Sequence, residues 1–102
     1  MSEFILLMHN DVADDDAGSW ELYSWELYLQ KLRENGSFEG GSAIGEGICV
    51  RKRGRAPSTT SHLTGYIRVK ADSIDRAKLL LAGNPHFEAG GTVEIRELPR
   101  TS

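Results

Sequence analysis

His9 and Asp11 stand two residues apart just where the first apolar run of the chain ends. A carboxylate so placed can orient an imidazole as a general base, provided both side chains reach the same face. The same two residues also make an ordinary polar pair at a strand end. His86 sits in the turn Asn84-Pro85-His86. It can line a pocket or hydrogen-bond the turn backbone and hold the next strand. His62 follows a Ser/Thr run and could reach the same face through a flexible loop, with surface exposure the favoured reading. Tyr66 and Arg68 alternate along one strand and would offer a phenol and a guanidinium to a ligand. Trp25 belongs to an aromatic group with Trp20, Tyr23 and Tyr28 that could wall a pocket. Aromatics at helical spacing serve equally as core or as an interface between copies. His9, Asp11 and His86 are therefore the candidate catalytic residues, and Tyr66, Arg68 and Trp25 the candidate ligand contacts.

Other groups point to less chemistry. The three histidines and Asp14-Asp15-Asp16 match no metal-ligand spacing, so no metal site is expected. The acidic run precedes a helix, where negative charge is favourable. Arg51, Lys52, Arg53 and Arg55 lack interleaved aromatics and read as a solvated connection, with anion binding second. The glycine-rich stretch Gly40 to Gly47 has no helix after it, unlike a phosphate-binding loop, and is expected to serve bends and close backbone approach. No cofactor is implied. Cys49 reads as an inert thiol in or beside a strand.

Elements must bring the candidates together. Phe4 to His9 is predicted as a central strand, with Phe4, Leu6 and Met8 on one face and Ile5 and Leu7 on the other. An acidic loop over Asp11 to Gly18 follows. Then Ser19-Trp20-Glu21-Leu22-Tyr23 repeats at once as Ser24-Trp25-Glu26-Leu27-Tyr28. Five residues turn a helix by about 140° net, so the two copies face different ways. Leu22, Trp25, Leu29 and Leu32 form the stripe expected to face the sheet, with Trp20, Tyr23 and Leu27 beside it. Asn35-Gly36 ends this helix. Ala43 to Val50 is predicted as a strand, and 51–61 as a flexible basic connection. Thr64 to Ala71 is a strand with Ile67 and Val69 on one face and Tyr66, Arg68 and Lys70 on the other. Asp72 or Ser73 caps a helix from Ile74 to about Ala82, with Ile74, Ala77 and Leu81 inward, and Gly83 and Pro85 stop it. Thr92 to Leu98 is the last strand, with Val93 and Ile95 buried. The order is that of a ferredoxin-like βαββαβ fold, an α+β domain with an antiparallel sheet and two helices on one face. Its open face needs cover, which predicts a two-fold homodimer.

A chain of 102 residues is one domain, 39% hydrophobic and 26% charged. A net charge of -3 gives no general attraction to nucleic acid or anionic membrane. No apolar run reaches the roughly 20 residues of a membrane span. The N-terminus lacks signal-peptide features, and one cysteine fits a reducing compartment, so a cytoplasmic location is expected.

Several segments resemble the YCII-related (DGPF-domain) family of small bacterial proteins. They are Phe4 to Met8, Trp25 in the first helix, Gly36 with Gly40-Gly41, the passage Gly65 to Ala77, and above all Asn84-Pro85-His86 through Gly90-Gly91-Thr92-Val93-Glu94-Ile95-Arg96. The resemblance implies a ferredoxin-like protomer and a dimeric α+β barrel. In place of the family's Asp-Gly-Pro-Phe signature, this chain has Arg55-Ala56-Pro57-Ser58-Thr59-Thr60-Ser61-His62. No catalytic residue is carried over by motif. The expected function is small-molecule binding in a pocket at the sheet or dimer seam, with His-based acid–base chemistry. The competing reading is a non-catalytic regulatory or protein-interaction module.

Overall fold

The computed structural model describes residues 1–12 and 21–99. Strand β1 (Ser2–His9) lies inside a four-stranded antiparallel sheet, flanked by β3 (Leu63–Ala71) and β4 (Val93–Leu98). Strand β2 (Phe38–Ala43) pairs with the other side of β3, giving the order β2-β3-β1-β4. The sequence alternation survives intact in the central strands. Phe4, Leu6 and Met8 of β1 and Ile67, Val69 and Ala71 of β3 are buried together under the helices. Ile5 and Leu7, register partners of Arg68 and Tyr66, are half-buried on the helix-free face. Burying one such side chain contributes about 1.5–3 kcal/mol, so this face pattern sets the register strongly. On β4, Val93 and Ile95 pack against the core as expected.

Helix α1 (Glu21–Glu34) supplies Leu32 and Tyr28 to the core, with Trp25 and Leu29 packed against it. Tyr28 was not on the predicted inner stripe. Its ring is buried because its hydroxyl donates to the Leu80 carbonyl at 2.7 Å, so the polar end is satisfied. Leu27, predicted on a covered second stripe, is half-exposed. Ser19 and Trp20 of the first repeat copy lie outside the described residues, as does the loop from residue 13. The helix ends as predicted: Gly36 takes φ 73° while Ser37 donates back to Leu32.

Helix α2 (Ile74–Leu79) is shorter than predicted, and a turn carries the chain on to Gly83. Ser73 is its N-cap, accepting from the Arg76 N–H. Ala77 and Leu81 face inward, but Ile74 is exposed, since the first turn overhangs the core. Pro85 begins a further element instead of only ending one: α3 (Pro85–Glu88), capped by Asn84, whose Oδ1 accepts from the Phe87 N–H at 3.0 Å. The α+β ferredoxin-like expectation is met, with this one-turn helix added.

The expected strand over 43–50 is not formed. Strand β2 ends at Ala43, and residues 44–62 run on without regular structure. Ile48 and Val50 are 84% and 80% exposed, and Cys49 is exposed beside them. An alternating pattern makes a strand only beside a neighbour, and β3 already has β1 on one side and β2 on the other. The glycines before this segment do allow close approach. A Cβ on Gly41 would stand 2.6 Å from the Tyr66 carbonyl oxygen across the β2–β3 ladder.

Candidate functional site

The polar candidates gather where β1 ends and β4 begins. Glu94 follows Val93 on β4 and lies opposite Leu7, so its carboxylate shares the helix-free face with the end of β1. There His9 Nε2 stands 2.9 Å from Glu94 Oε1. An ionised carboxylate only accepts, so Nε2 carries the hydrogen and the neutral ring has its lone pair on Nδ1. Hydrogen bonding from His9, then from Arg96 at 3.1 Å, holds the Glu94 carboxyl below its ordinary pKa. The His62 ring meets His9 edge to face at 5.3 Å between centroids. The backbone brings it there, because Asn10 N–H donates to the His62 carbonyl.

Asp11 does not orient His9. Its Oδ1 accepts from the Thr92 N–H at 2.9 Å and stands 3.5 Å from His86 Nε2. Hydrogen bonding to Thr92, side chain first and backbone next, lowers the Asp11 pKa. Partial desolvation opposes this, and the nearby His86 and His9 add smaller pulls downward. Asp11 thus lies within electrostatic reach of both histidines, while the partner of His9 is Glu94.

His86 is held from the other side of the sheet end. Asn84 caps α3, Pro85 starts it, and the next residue is carried inward to 8% exposure. Its own carbonyl accepts from the Gly91 N–H at 2.9 Å, closing the turn ahead of β4. Of the two roles read from the sequence, His86 thus performs the structural one through its backbone. Its side chain stands 3.5 Å from Asp11 Oδ1 without a hydrogen bond, so Nε2 is buried with no hydrogen-bond partner among the described residues. A buried ring nitrogen in that state is costly unless something completes it.

Tyr66 and Arg68 do occupy the helix-free face, as predicted. Arg68 donates to the Glu39 carbonyl at 2.8 Å, and Glu39 pairs with Lys70 at 2.8 Å, which raises the Lys70 pKa. Trp25 is separated from them by the sheet. It packs on the core side, edge to face with Tyr28 at 6.0 Å. The sheet therefore divides the six sequence candidates. His9, Tyr66 and Arg68 share the open face, Asp11 and His86 stand at its end, and Trp25 lies beneath. Sequence reasoning missed Glu94, and it favoured surface exposure for His62 over the approach to this face that the structure shows. The alternation Val93-Glu94-Ile95 contained the signal for Glu94, but its use required the register between the first and last strands. Among the described residues, no cluster of His, Cys, Asp and Glu could hold a metal ion.

No protein-family profile matches the chain, and no curated protein matches it. Among solved structures, the chain is similar to 5-chloro-2-hydroxyhydroquinone dehydrochlorinase (TftG) from Burkholderia phenoliruptrix AC1100, determined in complex with 2,5-dihydroxybenzoquinone. The two are 13% identical, with a TM-score of 0.52 over 95% of this chain and 93% of that one. At this identity the likeness concerns the fold. The chain is an α+β protein of the ferredoxin-like kind, and no helix among its described residues is long and apolar enough to cross a membrane.

Proposed function

We propose that this chain is a YCII-related protein that binds a small, flat, hydroxylated molecule beside His9 and moves protons on it. The observation that carries the reading is the pairing of His9 with Glu94 at 2.9 Å, with Asp11 and the unpartnered His86 nitrogen close by. A carboxylate-held imidazole is suited to general acid–base work, and Glu94 fixes the tautomer. Leu7 and Tyr66 supply an apolar wall on the same face, and Arg68 a positive charge for an ionised hydroxyl. The dihydroxybenzoquinone of the structural neighbour has this chemistry, which supports the choice of probe. We assign the working form as a homodimer in which the helix-free faces meet, and its place as the cytoplasm.

The test is thermal shift with 2,5-dihydroxybenzoquinone on the wild type, His9→Ala and Glu94→Gln. Binding raises the melting temperature by mass action. A rise in the wild type that His9→Ala abolishes supports the site. A rise of equal size in all three proteins overturns it. The exposed segment 44–62 favours the competing interaction-module reading, under which no such ligand shifts the wild type.

A further inference from the structure

Residues 44–50 have the pattern of a strand and no strand beside them. Ile44, Glu46, Ile48 and Val50 alternate with Gly45, Gly47 and Cys49, so three aliphatic side chains share one side of an extended backbone. The Ile44 N–H donates to the Thr64 carbonyl at 3.0 Å, and from there the segment leaves β3. Ile48 and Val50 are the most exposed large hydrophobic side chains among the described residues, whereas Ile44, still bonded to β3, is 41% exposed. The radius of gyration is 15.2 Å, against about 13 Å for a compact domain of this length.

We infer that residues 44–50 cross to a second copy of this chain and that their distal part, around Ile48 and Val50, adds a short strand to the free edge of its β4. The inference rests on the proposed homodimer and specifies how its edges close. Among the described residues strand β4 pairs only with β1, so its outer edge presents backbone groups that no described strand meets. Strands β2 and β4 are opposite edges of the sheet. Stacking the helix-free faces of two copies about a two-fold axis parallel to the strands therefore sets the β2 edge of one beside the β4 edge of the other. Stacked sheets lie about 10 Å apart. A seven-residue extended segment spans about 23 Å, enough to cross that gap and still pair. Charge favours the same occupant. Residues 44–62 hold four cations and one carboxylate, a formal +3. With -3 for the whole chain, the remainder carries -6. Among the described residues the four cations make no ion pair with the body; Arg51 bonds only the Arg55 carbonyl. A second copy offers a body of formal -6, with Glu97 beside the Glu94–Arg96 pair on the strand to be paired, whereas nucleic acid would be repelled by that body. Main-chain bonding at a sheet edge supplies the affinity, and Ile48 and Val50 gain cover.

The chain's sole cysteine makes the test direct. A benzophenone attached at Cys49 is irradiated in a mixture of unlabelled and nitrogen-15-labelled protein, and cross-linked peptides are read by mass spectrometry. Ile48→Pro, which removes one N–H from an exposed segment, is compared by sedimentation. The expected result is interchain cross-links to residues 93–98 and dimer dissociation weakened in hold by about tenfold or more in Ile48→Pro. Cross-links confined to one chain, or to another surface of the partner, overturn the inference while leaving the dimer standing. Unchanged dimer affinity in Ile48→Pro does the same. A monomeric wild type overturns both the inference and the homodimer.

Discussion

Gly91 lies against the imidazole of His86, and no larger residue fits between them. A Cβ at position 91 would stand 2.6 Å from His86 Cδ2 and 2.6 Å from a Val12 methyl. Gly91 is thus a packing surface for a buried histidine, whereas Gly90 meets nothing among the described residues and supplies the positive φ of the turn. Gly91→Ala is expected to cost about 1–3 kcal/mol, in the range of overpacked sites. Denaturant melts of Gly91→Ala, His86→Ala and the double variant check this. The glycine substitution should cost clearly less once the ring is gone, a non-additivity that independent sites do not show.

Acid should loosen the strand-end cluster. Asp11 and Glu94 both have pKa values lowered by folding, from ordinary values of 3.8 and 4.5. Their contribution to stability is therefore present above the ordinary carboxylate range and is lost as pH falls through their lowered folded-state values. Melting temperature against pH should decline below about 4.5 in the wild type, and less steeply in Asp11→Asn combined with Glu94→Gln. Equal slopes would refute the assignment.

Burial pushes the Tyr28 pKa above its ordinary value of 10.0, with the neighbouring Asn84 side chain partly opposing. The protonated phenol is the form that folds best, so stability should fall as pH rises beyond 10. Tyr28→Phe should remove that alkaline loss. At neutral pH it should cost about 0.5–1.5 kcal/mol for the hydrogen bond to the Leu80 carbonyl. Urea melts at two pH values check both.

Asn84 is fully buried and caps the one-turn helix that carries His86. Asn84→Ala should lose about 0.5–2 kcal/mol, the ordinary cost of an N-cap. Asn84→Ser, which keeps an accepting oxygen, should recover part of it. An alanine variant as stable as wild type in denaturant melts would show that α3 needs no cap.

Much of this protein is legible in single-strand patterns. The alternation in Phe4-Ile5-Leu6-Leu7-Met8 and Tyr66-Ile67-Arg68-Val69 sorts core from open face because a strand's period is fixed by its geometry. What escaped depends on partners far along the chain. Glu94 is a candidate only once β4 is laid beside β1. Tyr28 is core only because Leu80 offers it a carbonyl. In the second copy of the SWELY repeat, Tyr28 is buried and Trp25 packs against the core beside it. Residues 44–50 show the opposite case, a genuine strand pattern with no neighbour in its own chain. Of the candidate site, Tyr66 and Arg68 are placed on their face by alternation, whereas the approach of His86 to Asp11 needs the turn at Gly90-Gly91.

His9 and Glu94 meet although 85 positions separate them. The contact bridges the first strand and the last, and such distant pairings form late and slowly because a long loop must close first. A nascent chain holds His9 long before it holds the partner carboxylate, which arrives only once β4 has been synthesised and docked. The proposed chemistry is thereby withheld from incomplete chains, and its appearance would time the end of folding.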